Sequence, residues 1–107
     1  MSESGAFLVQ LLLPARGSDG TSIDRSVFGS VQATLAERFG GVTAYLRAPA
    51  KGLWKGPDGG VDADQVVMVE VQADTLDREW WKAYRRELER QFRQDTVLMR
   101  AIAIEPL

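Results

Sequence analysis

Apolar residues in this chain recur with two periods, and the switches between them mark the elements. Residues 7–13 put Phe7, Val9, Leu11 and Leu13 on one side and Leu8, Gln10 and Leu12 on the other. This reads as a strand apolar on both faces, stopped by Pro14. Residues 15–23 are rich in Gly, Ser and Asp and read as a loop. Asp24 then suits a helix N-cap, and Phe28, Val31, Leu35 and Phe39 follow at helical spacing until Gly40 and Gly41 end the run. Residues 42–47 alternate as a second strand and residues 65–72 as a third. Between them, residues 48–64 carry Pro49, Gly52, Gly56, Pro57, Gly59 and Gly60, a hairpin connection with an elaborated tip. Asp74 or Thr75 should start a second helix, whose stripe is Trp81, Tyr84, Leu88 and Phe92. The other face of that helix bears Glu79, Lys82, Arg86, Glu87, Glu89 and Arg90, a solvated surface of opposite charges. Residues 97–104 read as the last strand, ended before Pro106.

The order β-α-β-β-α-β predicts a ferredoxin-like α+β domain spanning residues 1–107. It has a four-stranded antiparallel sheet in the order 4-1-3-2, with two helices on one face. Val67, Val69 and Val71, and Met99, Ala101 and Ala103, join Phe7, Val9, Leu11 and Leu13 as the helix-facing set. The alanines are expected where a helix packs close.

Two helices cover one face of such a sheet. The other face receives Leu8, Leu12, Met68, Leu98, Ile102 and Ile104, more apolar surface than a monomer leaves in water. Three coverings are open: another copy of the chain, a segment of this chain, or a small-molecule ligand. The first is favoured because two-fold homo-oligomers are common.

On that second face Gln10, Glu70 and Arg100 fall mid-strand, and the strand order seats Gln10 between the other two. Such a cluster can bind a carboxylate or act as a general acid/base pair. It can equally be a buried ion pair that fixes the register of an association, the reading preferred here because buried charges need partners. At the hairpin tip, Trp54 lies among Arg47, Lys51 and Lys55, an aromatic wall with cations for a small anion, or a ring folded over a sheet edge. Trp81 fits the core stripe; Trp80 lies off its centre, as a residue capping the helix start or entering an interface would. Residues 16–22, ahead of the first helix, have free-amide geometry for an anion but lack the Gly-Lys-Ser/Thr of a phosphate loop, so an ordinary loop is expected.

Composition narrows the chemistry. The 107 residues are 45% hydrophobic and 26% charged with a net charge of −2, which fits one globular domain and argues against a nucleic-acid or anionic-lipid surface. The central strands also lack the exposed aromatics on which RNA-binding sheets of this topology stack bases. There is no cysteine, histidine or asparagine. Without Cys or His, zinc centres, Ser-His-Asp triads and disulfides are excluded within one chain, so no transition metal and no cofactor is expected, and a carboxylate-only Mg²⁺ or Ca²⁺ site is the one metal chemistry left open. Residues 1–5 carry no basic segment and no run reaches membrane-spanning length, so the expectation is a cytoplasmic protein without a membrane partner.

Three short motifs carry a resemblance: Arg38-Phe-Gly-Gly-Val-Thr43, Gly52-Leu-Trp54 and Phe92-Arg-Gln-Asp-Thr-Val97. Together they resemble a group of small bacterial domains of unknown function with R-F-x-G-x-T, G-x-W and Q-[DE]-[ST]-V motifs. The resemblance spans residues 37–100 and implies the same architecture and no particular activity. Asp64-Gln65 departs from that group's pattern at the start of the third strand. In physical terms, Gly40 and Gly41 make a helix-to-strand turn, and Gln94 can satisfy terminal helix carbonyls.

The expected function is therefore a non-catalytic, homo-oligomeric binding or structural module. The alternative is a small cofactor-independent enzyme or ligand-binding protein of the dimeric α+β barrel type, built around Arg47, Trp54, Glu70, Arg100 and Gln10.

Overall fold

The computed structural model describes residues 6–40, 42–47 and 66–107, with residues 43–47 described by their backbone. The elements follow as β1 (Ala6–Pro14), α1 (Arg25–Phe39), β2 (Thr43–Arg47), β3 (Val66–Ala73), α2 (Arg78–Gln91) and β4 (Leu98–Ile104). It is a small α+β fold with an antiparallel sheet and two helices. β1 lies between β3 and β4, β2 pairs with the outer side of β3, and the order is β2-β3-β1-β4. The hairpin tip with Trp54, Lys51 and Lys55 lies outside the described residues, and Arg47 is placed by its backbone at the end of β2.

Alternation decides which side of the sheet the helices cover. Val9, Leu11, Leu13, Val69 and Val71 form one cluster with Ile23, Val31 and Leu35 around α1, and with Trp81, Leu88, Phe92 and Val97 around α2. Leu11, Leu13, Leu35, Leu88 and Phe92 are fully buried. Truncating a buried leucine to alanine removes its transfer energy and leaves a cavity, a cost of about 2–5 kcal/mol. Phe28 meets Phe92 edge to face at 5.1 Å, tying α1 to the end of α2.

The helix ends follow local chemistry. The Asp24 carboxylate accepts from the Ser26 N–H at 2.9 Å and caps α1; that bond holds its carboxyl below the usual range. Gly40 closes α1 at φ 80°, a left-handed conformation in which a side chain would be strained. α2 begins later than Asp74 or Thr75: the N-cap is Asp77, whose carboxylate accepts from the Trp80 N–H at 3.1 Å. Both earlier residues had cap chemistry, but Leu76 packs onto the core and delays the first turn. Among the exposed side chains of α2, Lys82 pairs with Glu79 at 4.0 Å, Arg85 with Glu89 at 3.5 Å, and Arg90 with Glu87.

One junction holds the loop before α1 against the end of α2. Arg93 takes φ 53°, and its guanidinium donates to the Thr21 and Ser22 carbonyls and pairs with Asp19 at 3.5 Å. Gly17 permits the approach, since a Cβ there would lie 2.8 Å from Arg93 Nε. The Gln94 amide donates to the Phe92 carbonyl at 3.2 Å and to the Arg16 carbonyl at 3.0 Å. It closes the helix end as its position in the chain suggested.

Candidate functional site

The registers of β1 with both neighbours assemble a polar row across the sheet. Gln10 stands opposite Glu70 in one ladder and opposite Arg100 in the other, so all three point away from the helices. Gln10 Nε2 donates to Glu70 Oε2 at 2.6 Å, and Arg100 Nε donates to Gln10 Oε1 at 2.7 Å. The amide thereby links a cation to a carboxylate without the two charges touching. Gln10 and Glu70 are half-buried and Arg100 is exposed; no charged side chain among the described residues is buried. In the single chain the row is therefore a partly solvated relay and not a buried ion pair. β4 is the edge of the sheet, and water reaches its outer side.

Apolar rows flank the polar one. Leu8 lies opposite Ile102 on one side and Gln72 on the other, and Leu12 lies between Leu98 and Met68. The face is not uniformly open. Met68 is buried, Leu8, Leu12 and Ile104 are half-buried, and Leu98 and Ile102 keep 50% and 42% of their surface. The uncovered part is concentrated at β4.

At the end of the sheet where α1 returns to β2, a cleft of about 980 Å³ is lined by Leu8, Arg38, Phe39, Glu70, Gln72 and Asp74, among others. Its walls are mainly polar, and Glu70 belongs both to it and to the row. Arg38 is held from the α2 side: its guanidinium stacks 4.3 Å from the Trp80 ring and pairs with Asp77 at 3.5 Å. Trp80 also meets Phe39, Trp81 and Tyr84, so this residue off the core stripe belongs to an aromatic cluster bridging the helices. Tyr84, packed in that cluster, is pushed up to about pKa 12, chiefly by burial; the Glu87 charge adds to the rise and the Thr34 hydrogen bond opposes it.

Of the sequence candidates, Gln10, Glu70 and Arg100 come together. In residues 16–22 several of the donors an anion would need are turned into the loop's own bonds, as expected of an ordinary loop. Gly17 N–H donates to the Thr21 carbonyl, Thr21 N–H and hydroxyl donate to Asp19, and Arg16 donates to the Gly20 carbonyl. The Thr21 hydroxyl, then its N–H, hold Asp19 below its ordinary carboxyl value. Arg38 and Asp74 were missed as cleft residues. The Arg-Phe-Gly-Gly run was the available signal, and it did not say which side of the sheet it would face. Among the described residues no group of three metal-ligating side chains converges, and no helix is long and apolar enough to cross a membrane.

No family model and no curated protein matches this chain. Among solved structures, the chain is similar to a phage SAM lyase in complex with S-methyl-5'-thioadenosine, with a TM-score of 0.57. The two share 14% identity over 96% of this chain and 84% of that one. At such identity the likeness concerns the fold alone.

Proposed function

We propose that this chain is a cytoplasmic, self-associating α+β module of ferredoxin-like topology. It uses the sheet face opposite its helices as the contact between copies and performs no chemistry of its own. The observation that carries this reading is the combination of exposed Leu98 and Ile102 with a row whose two ends bear opposite charges, Glu70 and Arg100. Such a face is self-complementary. A two-fold axis running along β1 through Gln10 lays Arg100 of one copy over Glu70 of the second, whereas an axis across the strands stacks like over like. Two sheets so paired sit about 10 Å apart, with Leu8, Leu12, Leu98 and Ile102 filling the space. Light scattering at micromolar concentration should give a multiple of the 11.8 kDa chain mass. Ile102→Lys should return it to one chain, because a charge without a partner cannot enter the contact. A wild-type monomer would overturn the reading.

The cleft at Glu70 favours a second reading, a small-ligand-binding protein or cofactor-independent enzyme of the dimeric α+β barrel type. Glu70 would be its acid/base group, with Arg38, Gln72 and Asp74 beside it in the cleft wall and Gln10 and Arg100 behind it in the row. The fold likeness to a lyase solved with S-methyl-5'-thioadenosine makes thioadenosines the first ligands to test. Calorimetric titration with S-adenosylmethionine and S-methyl-5'-thioadenosine decides: saturable heat abolished by Glu70→Gln supports this reading, and flat titrations remove it.

A further inference from the structure

Alanine at positions 101 and 103 leaves room for a helix to lie against β4, yet α2 does not take it. Ala101 stands opposite Val9 on the helix side of the sheet, and it remains exposed, as does Ala103. The expectation of close packing there is overturned. Trp81 and Leu88 of α2 join the central core with Leu76 packed beside them, and Ala101 and Ala103 of β4, at the sheet edge, are left exposed on this side. The result is a slot of about 200 Å³ with an apolar floor of Val9, Leu76, Trp81, Met99 and Ala101. Its rim is basic. Arg78, Lys82 and Arg85 follow one another at helical spacing along the slot. Glu79 and Glu89 partner Lys82 and Arg85 from outside the lining, while Arg78 forms no ion pair among the described residues.

An ordinary solvated helix face has cations but no hollow apolar floor beneath them. A gap in packing has a floor but no reason to carry three cations and no carboxylate in its lining. Here both occur at one place, which sets the chemistry of an occupant. We propose that the slot binds a small amphiphilic anion: an apolar body about the size of a phenyl ring, seated against Trp81, Met99 and Ala101, with one carboxylate at the rim. The volume lies below the roughly 300–1,000 Å³ of sites for drug-sized ligands, so the body is small. Arg78 offers a planar fork that matches a carboxylate bidentately, Lys82 adds a point charge, and the flexible Met99 thioether adapts to the body's outline. The slot lies on the helix side of the sheet, opposite the face proposed for self-association, so the two inferences stand or fall separately.

The test is a heteronuclear NMR titration of the full ¹⁵N-labelled chain with sodium benzoate, run beside benzyl alcohol as a neutral ligand of similar shape. Benzoate should shift Leu76, Met99, Ala101 and the Trp81 indole saturably, and benzyl alcohol should bind about tenfold more weakly, the loss of one charge-assisted contact. Ala101→Leu, which fills the slot at an exposed position, should abolish the shifts. Lys82→Glu, a surface change that leaves the floor intact, should weaken benzoate by tenfold or more and leave benzyl alcohol unchanged. Benzoate shifts that fail to saturate, that spread over all cationic residues, or that survive Ala101→Leu would overturn the proposal. So would equal affinity for benzyl alcohol.

Discussion

Arg100 and Gln10 stand directly opposite one another in the β1–β4 ladder, and Arg100 Nε donates to Gln10 Oε1 at 2.7 Å. Because the other end of the same amide donates to Glu70, the arginine and the carboxylate are coupled through a neutral residue. Arg100 is exposed and the pair Gln10–Glu70 is half-buried, so the weight of the row lies toward β3.

The row should therefore respond unequally to substitution. In the single chain, Arg100→Met should cost under about 1 kcal/mol, as exposed charged contacts do. Gln10→Leu should cost more, about 1–2 kcal/mol, because it removes a donor from half-buried Glu70 and strands Arg100 beside an apolar side chain. Urea melts at low protein concentration measure both. In the associated state the charges themselves matter: Arg100→Glu should dissociate the assembly, and adding Glu70→Arg should restore it, read as mass by light scattering. Restoration failing in the double variant would exclude the two-fold axis along β1.

Asp77 holds two elements at once, capping α2 through Oδ1 and reaching Arg38 at the end of α1 through Oδ2 at 3.5 Å. Asp77→Ala should cost about 1 kcal/mol, the usual worth of a lost N-cap. Asp77→Asn, which keeps a capping oxygen but loses the charge, should recover most of it. Denaturant melts of both variants check the order; equal losses would mean that the ion pair with Arg38 outweighs the cap.

Tyr84 sets a ceiling on the alkaline side. Its folded pKa of about 12 lies above the ordinary value of 10.0, so the folded chain holds the phenolic proton more tightly than the unfolded one. The stability it contributes is complete below pH 10 and is lost as pH rises toward 12. Thermal melts across that range should fall, and the phenolate absorbance of Tyr84 should appear only near pH 12. Thr34→Val should move that absorbance higher still, because the Thr34 bond favours the ionised form. In a Tyr45→Phe chain, which leaves Tyr84 as the sole tyrosine, a phenolate appearing near pH 10 would mean that the ring is solvated.

The sequence by itself determined the order of strands and helices, the face on which each side chain stands, and the row through Gln10, Glu70 and Arg100. These are consequences of local periodicity: a period of two fixes the side of a strand, and antiparallel neighbours then bring mid-strand residues together. Asp24 and Gly40 were legible at the ends of α1 for the same reason, since a cap is made by residues adjacent in the chain. Tertiary structure decided what depends on distant partners and on position within the sheet. Arg38 meets Asp77 and Trp80 across about forty residues, and no periodicity relates them. The start of α2 moved from residues with good cap chemistry to Asp77 because Leu76 was drawn onto the core. Alternation cannot say how far a helix stands from a strand, so Ala101 read as a packing position and became the floor of a slot. Nor can it say how much of each strand's outer face stays in water: β4, an edge in the expected order as in the structure, leaves Arg100 exposed while Glu70, two strands inward, is half covered.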